Sequence, residues 1–337
     1  MALEGPSPDS LPGLVPDLVS VPGFPAPPGA VVEWLTLDGG IRLRTARWIL
    51  PDAEAHGTVL LAQGRTEFIE KYYEVIAELL QRGLSVVTFD WRGQGLSSRQ
   101  LADPLKGHVG DFSEFDADIA CVVTKVLQEH GTKPYFALAH SMGGNITLRY
   151  LRDYPHEFDR AVLTAPMLAV KTAPFPQGVA RAMATGFTFA GGKEAYVVGG
   201  SSQDPFTQGF EGNTVTSDRA RYDRAMSLLQ QDRRLALGAP TFGWLEAAFR
   251  SMHLVASEEF AAGIETPLLL MGAAQDQIVL PGADFTLVRR IKRGMYVMLK
   301  AEHEILMERQ EIRRTFWACF DQFLGLPARA QRTPART

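Results

Sequence analysis

The run Tyr135-Phe-Ala-Leu-Ala139-His140-Ser141-Met142-Gly143-Gly144 carries an apolar, strand-forming stretch directly into a serine, and a helical pattern follows it. A serine at such a turn has its hydroxyl lifted above a sheet, where a base can reach it. Small residues are needed two positions before and two after, because strand and helix approach each other closely there. Gly143 satisfies this, and Ala139 does so with one methyl more, so the pattern reads A-x-S-x-G. A serine hydroxyl is a poor nucleophile until a base takes its proton and an acid orients that base. Both are offered later in the chain. The apolar stretch Pro267–Gly272 is followed by Asp276, and the stretch Met295–Lys300 by His303. The chemistry open to this set is acyl transfer through an activated serine.

The order serine, acid, histidine is that of the α/β serine hydrolases, where each group follows a strand at the carboxyl end of the sheet. Of seven histidines, His303 alone follows a late strand; His56, His108, His130, His156 and His253 fall in loops or in the inserted region described below. His140 adjoins the serine and is expected to point elsewhere. Acyl transfer also needs donors aimed at the developing oxyanion. Met142 offers its main-chain N–H as the residue after the nucleophile. The second donor is expected from the loop after the third strand, and the main-chain N–H of Arg65 is the choice. The segment Phe89–Ser97 has two glycines after a strand but lacks the third glycine of a dinucleotide loop, so it is read as a structural loop near the site. With no H-E-x-x-H, paired C-x-x-C or Walker sequence, neither a metal nor a cofactor is expected.

These groups must be positioned by a sheet. Candidate strands are Val31–Leu37, Ile41–Leu50, Thr58–Ala62, Ser85–Asp90, Tyr135–Ala139, Arg160–Thr164, Pro267–Gly272 and Met295–Lys300. The first two, joined by Asp38-Gly39-Gly40, read as a hairpin. From the third onward helical stretches intervene, among them Glu70–Arg82, Glu114–Glu129, Gly144–Asp153 and Glu308–Leu324. In Glu114–Glu129, Ile119, Val122, Val123 and Val126 make one apolar stripe. Strand–helix repetition predicts an α/β protein with a mostly parallel, eight-stranded sheet and helices on both faces. Between Arg160–Thr164 and Pro267 the rhythm breaks, and a structureless loop of that length is implausible. Residues 167–262 are therefore read as an inserted helical cap, and 31–166 with 263–326 as the core.

Residues 1–30 hold eight prolines and no Lys or Arg, which predicts an extended, weakly ordered arm rather than a secretory signal. Residues 327–337 read as a frayed basic tail. The whole chain has 337 residues, with 34 basic against 38 acidic ones, so nothing global points to nucleic acid. No apolar run is long enough to span a membrane. Two cysteines exclude a disulfide scaffold, and Cys121 and Cys319 are expected as reduced, core-side thiols.

The strings AHSMGG, QGRTEFIEKYYEVIAELLQRG, DWRGQGLSSR, KGHVGDF and EHEILMER together resemble the serine alpha/beta-hydrolases of the lysophospholipase and monoacylglycerol lipase group. Within it, the similarity is greatest to the bacterial inner-membrane-associated lysophospholipases, which carry a similar GR-x-E loop. The resemblance covers about residues 31–326. It implies the alpha/beta-hydrolase fold, with Ser141 as nucleophile, Asp276 as acid, His303 as base, and Arg65 and Met142 framing the oxyanion hole. Gln63-Gly64 replaces the His-Gly of monoacylglycerol lipases, and Ala139 replaces their glycine.

The resemblance implies a single-chain lipid ester as substrate, a lysophospholipid first, with monoacylglycerol or a general carboxylic ester as the alternative. Acyl transfer to another alcohol and a non-catalytic ligand-binding role are the remaining readings. Phe175, Phe206 and Trp244 of the cap are candidates for the acyl pocket. Arg219, Arg221 and Arg224 are candidates for a lipid phosphate, against the plainer account that they pair with Asp218 and Asp223 on a solvated helix. The lack of an export signal suggests a cytoplasmic protein, with peripheral contact at the inner membrane through the cap; the sequence leaves the oligomeric state open.

Overall fold

The structure is a computed structural model, and it describes residues 17–202 and 209–327. Eight strands form one sheet: β1 (Val31–Thr36), β2 (Arg42–Trp48), β3 (Thr58–Ala62), β4 (Ser85–Phe89), β5 (Tyr135–His140), β6 (Arg160–Thr164), β7 (Leu268–Ala273) and β8 (Gly294–Leu299). Their spatial order is β1-β2-β4-β3-β5-β6-β7-β8. β1 and β2 are the antiparallel hairpin, and β2 runs antiparallel to β4. From β4 through β8 every neighbouring pair is parallel. Every residue of β3, β4, β5 and β7 is buried. This is why those strands read as continuous apolar runs rather than alternating ones: both faces are covered.

The helices are α1 (Tyr73–Leu80), α2 (Ser113–Val122), which continues through a π turn (Val123–Leu127) into α3 (Gln128–His130), α4 (Ser141–Asp153), α5 (Gln177–Phe189), α6 (Arg219–Gln231), α7 (Phe242–Val255), α8 (Glu258–Ala262), α9 (Pro281–Val288) and α10 (Gln310–Leu324). The stripe Ile119, Val122, Val123 and Val126 is fully buried. α4 starts at Ser141 rather than Gly144, because the serine itself turns the chain, with φ +50°. Glu70–Arg82 divides into a 3-10 turn (Ile69–Tyr72) and α1. α10 ends on Gly325 in the left-handed conformation, where glycine carries no steric cost.

The described chain between β6 and β7 carries α5, α6, α7 and α8, joined by non-helical stretches. Asp218, Thr241 and Ser257 cap α6, α7 and α8 by accepting the N–H groups of Arg221, Trp244 and Phe260. α7 lies on α4, where Ser251 Oγ donates to Asn145 Oδ1 (2.6 Å). Its apolar side, including Ala248, Met252 and Val255, joins the main core. α6 instead contributes Leu228 and Leu229 to a smaller core with Phe68, Leu235 and Ala236.

Of the N-terminal arm, residues 1–16 lie outside the described residues. The part from Asp17 to Ala30 is fastened to the body. Val19 N–H donates to Glu70 (3.2 Å), Tyr73 Oη to Val19 O (2.8 Å) and Trp48 Nε1 to Pro27 O (2.9 Å). Val21 and Phe24 pack against the smaller core. Of the C-terminal tail, residues 328–337 are likewise outside the described residues. Cys121 and Cys319 are free and half-buried, not core residues; Cys319 packs at the edge of the main core.

Candidate active site

Four loops at the carboxyl ends of parallel strands meet above the sheet. Ser141 follows β5, Gly64 and Arg65 follow β3, Asp276 follows β7 and His303 follows β8. Ser141 sits in the left-handed region, a strained conformation for a residue with a side chain, held by strand and helix on either side. Gly143 permits this. A Cβ there would lie 2.4 Å from Gln63 O and 2.6 Å from Ala62 O. Ala139 pairs with Ala62 and Leu163 within the sheet, and its extra methyl fits in the core.

His303 Nε2 lies 2.9 Å from Ser141 Oγ, and His303 Nδ1 lies 2.6 Å from Asp276 Oδ2. Asp276 Oδ1 accepts the N–H groups of Ile278 (2.7 Å) and Val279 (2.8 Å). Burial works against the Asp276 carboxylate, but the hydrogen bond and charge of His303, with those two N–H groups, hold its pKa below the ordinary value. An ionised acid orienting an imidazole whose other nitrogen meets a serine hydroxyl is able to activate that hydroxyl for attack on an acyl carbon.

A family model described as serine aminopeptidase, S33 (Hydrolase_4) matches residues 53–310. The chain belongs to this family. It is 31% identical over 267 residues to lysophospholipase L2 of Escherichia coli strain K12, which covers 76% of each chain. It is 28% identical over 297 residues to the probable lysophospholipase L2 of Haemophilus influenzae, covering 87% of this chain and 92% of that one. Among solved structures it is similar to a soluble variant of monoglyceride lipase from Saccharomyces cerevisiae in complex with a substrate analog. That match has a TM-score of 0.68 at 19% identity, with 88% and 96% of the two chains covered. The fold is that of the alpha/beta-hydrolases, and this member of the Hydrolase_4 family is a serine hydrolase.

The loop after β3 of this Hydrolase_4 chain is held from several sides. Gly64 N–H donates to Glu67 Oε2 (2.6 Å) and Thr66 N–H to Gln94 Oε1 (3.2 Å). Trp91 Nε1 donates to Gln63 O (2.9 Å) and Gln94 Nε2 to Gly64 O (3.0 Å). The N–H of Arg65, between Gly64 and Thr66, has no hydrogen-bond partner among the described residues. The N–H of Met142 lies in the first turn of α4, where an N–H has no partner within its own helix.

The Phe89–Ser97 segment thus touches the site by pinning this loop, and Trp91, Gln94 and Glu67 are supporting residues the sequence reading did not single out. The G-R-x-E spacing held the signal for Glu67, since a carboxylate three residues after Gly64 can reach back to its N–H. Glu67 also accepts Tyr72 Oη (2.6 Å) and Lys71 Nζ (2.8 Å). Burial opposes its charge, but the Lys71 charge and the hydrogen bonds from Lys71 and Tyr72 keep it ionised, with its pKa well below the usual value.

His140 does point away from the serine: its Nδ1 lies 3.0 Å from Thr164 O. Trp244 is buried in the first turn of α7, 6.0 Å from Phe112 and 5.2 Å from the Arg65 guanidinium. Phe175 is half-buried against the main core in the segment before α5. Phe206 lies outside the described residues. Arg219, Arg221 and Arg224 all pair with carboxylates: Arg219 with Glu211 and Asp223, Arg221 with Glu74 and Asp218, Arg224 with Glu74. Ion pairing accounts for the three, and the phosphate-binding expectation for them is withdrawn.

Proposed function

We propose that this serine hydrolase is a lysophospholipase, releasing a fatty acid from single-chain phospholipids, with Ser141 as nucleophile, His303 as general base and Asp276 as the acid that orients it. The observation that carries this reading is the continuous hydrogen-bond path from Ser141 Oγ through both His303 nitrogens to Asp276. In the first step His303 Nε2 takes the hydroxyl proton as Ser141 Oγ bonds to the ester carbon. The oxyanion that forms is met by the N–H groups of Arg65 and Met142. The carbon–oxygen bond to the alcohol then breaks, and His303 hands the proton to the leaving alkoxide. Water attacks the acyl-enzyme by the same route, His303 takes its proton, and the fatty acid departs as Ser141 regains a proton.

The substrate class is supported by the similarity to proteins named lysophospholipase L2 across three quarters or more of this chain. Monoacylglycerol is the second reading, favoured by the fold match to a monoglyceride lipase. Residues 167–262 are proposed as the cap, with Phe175 and Trp244 nearest the acyl chain. No helix among the described residues is long and apolar enough to cross a membrane. Peripheral contact is proposed through α5. Phe189 there is 94% exposed, Val179 and Phe187 are also exposed, and no acid interrupts the stretch from Lys171 to Lys193. Such a face suits an apolar, anionic lipid surface.

The test is fatty-acid release from lysophosphatidylcholine and from monoacylglycerol of the same chain, with Ser141→Ala as the blank. The variant is expected to lose on the order of 10³-fold or more in turnover. Hydrolysis retained in Ser141→Ala would refute the mechanism. A clear preference for the glyceride would move the substrate assignment to the second reading.

A further inference from the structure

The catalytic reading uses the main-chain N–H of Arg65 and leaves its side chain without a task. That side chain is unusual in its surroundings. Nη2 donates to Gly238 O at 2.6 Å, and the guanidinium lies over Trp244. Gly107 makes room for it, since a Cβ there would stand 2.4 Å from Nη2. Nε is buried with no acceptor. No carboxylate pairs with Arg65 among the described residues. Burial without a counter-charge lowers its pKa to about 10, so it remains a cation at neutral pH. A guanidinium held this way is costly to the fold unless an anion completes it.

The arginines of α6 differ. Arg221 and Arg224 pair with Glu74, and Arg219 with Glu211 and Asp223. Arg99 also lacks a carboxylate among the described residues, but its donors are taken up by the carbonyls of Gly93, Gly95, Arg234 and Ala236. Arg65 is therefore an uncompensated cation, and its main chain belongs to the loop that packs against the serine turn. A Cβ on Gly64, the preceding residue, would be 3.2 Å from Ser141 Cβ. The residue also keeps part of its surface open.

We propose that the Arg65 guanidinium recognises the phosphodiester of a single-chain phospholipid and sets the preference for a charged head group over a neutral glyceride. This rests on the lysophospholipase reading above. In such a lipid the phosphate is one glycerol skeleton away from the ester carbonyl, whereas a monoacylglycerol has no charge to offer there. The planar fork of donors suits a phosphate, and Nε supplies the donor that the fold leaves unmatched.

The competing account is that Arg65 only ties the oxyanion loop to Gly238. The two accounts separate in the ratio of kcat/KM for lysophosphatidylglycerol to that for monoacylglycerol of the same chain, measured for wild type, Arg65→Gln and Arg65→Lys. Loss of one charge-assisted contact is expected to lower this ratio at least about tenfold in Arg65→Gln, with Arg65→Lys in between. A parallel fall on both substrates, leaving the ratio unchanged, would overturn the proposal and keep the lysophospholipase reading. Failure of the wild type to cleave either lipid would overturn both.

A second measurement needs no variant. Inhibition of wild-type hydrolysis of a short neutral ester is compared for an alkyl phosphodiester and an alkyl glyceryl ether of equal chain. Binding of the phosphodiester at least about tenfold tighter supports the proposal, and equal inhibition overturns it.

Discussion

The ring of His140 packs against that of His303 with centroids 4.8 Å apart, yet only His303 is connected to the serine. The difference lies in what each ring meets. His140 Nδ1 donates to the Thr164 carbonyl, and burial lowers its pKa to about 4 from an ordinary 6.5. A neutral imidazole beside the proposed base avoids a second positive charge when His303 takes the serine proton.

That depressed pKa gives a pH signature. As pH falls through 6.5 the unfolded chain binds a proton at residue 140, while the folded chain refuses it until about 4. Stability is therefore fully present above that window and declines across it by an amount on the order of a few kcal/mol. In His140→Gln the urea midpoint should change less between pH 6.5 and 4 than in wild type. An unchanged slope would mean that His140 is not held neutral.

Glu67 is expected to act through the loop it holds. Glu67→Ala releases the Gly64 N–H and unsettles the neighbouring donor at Arg65. Steady-state kinetics should show kcat lower by up to about 10²-fold, with KM changed little, as for a weakened oxyanion donor. An unaltered kcat would show that Trp91 and Gln94 suffice.

The strands along the chain, the serine turn and both late loops were legible because buried parallel strands and a strand-to-helix serine leave strong local patterns. Ser141 and Asp276 each follow an apolar run that burial on both faces requires, and His303 follows the apolar but partly exposed edge strand β8. The pins on the loop after β3 were less legible. Gln94 and Trp91 sit in a glycine-containing loop whose residue types suggest several tasks, and only tertiary contact chooses among them. The partner Glu74 of Arg221 was hidden for a similar reason, since it lies on α1, far away in sequence, whereas Asp218 is a near neighbour in the chain.

Gly143→Ala should be poorly tolerated. Its methyl would press on two main-chain carbonyls that cannot rotate away. Overpacking of this kind costs about 1–3 kcal/mol, so thermal denaturation should show a midpoint several degrees lower. A midpoint equal to that of wild type would show that β3 and α4 can move apart.

Asp276→Asn keeps the side-chain shape but removes the charge that orients His303. Turnover is expected to fall by about 10³–10⁴-fold. Its effect on the denaturation midpoint should be small beside that. A loss of turnover under about tenfold would remove Asp276 from the proposed role.

Glu74 is shared by Arg221 and Arg224 of α6 and by Arg313 of α10. Burial opposes its charge, but the hydrogen bonds and charges of Arg221 and Arg313 lower its pKa to about 2. Glu74→Gln should destabilise at neutral pH by less than the roughly 3–5 kcal/mol of a fully buried pair, since 28% of its side chain is exposed. Because the folded pKa lies below the unfolded one, the gap between wild type and variant is full above pH 4.5 and closes toward pH 2. A gap that persists at acid pH would show that the charge of Glu74 is not what holds α6.

The smaller core has a consequence for the order of folding. It gathers Val21 and Phe24 from the arm, Phe68 from the loop side, and Leu228 and Leu229 from α6, segments far apart in the chain. Contacts so distant along the sequence carry a large loop-closure entropy and form after nearer ones. A small cluster of this kind also opens at lower free energy than a sheet buried on both faces. In amide exchange the arm and α6 should therefore open together as one cooperative unit while β3, β4 and β5 stay closed, which makes this seam the first place where heat, protease or detergent enters the molecule.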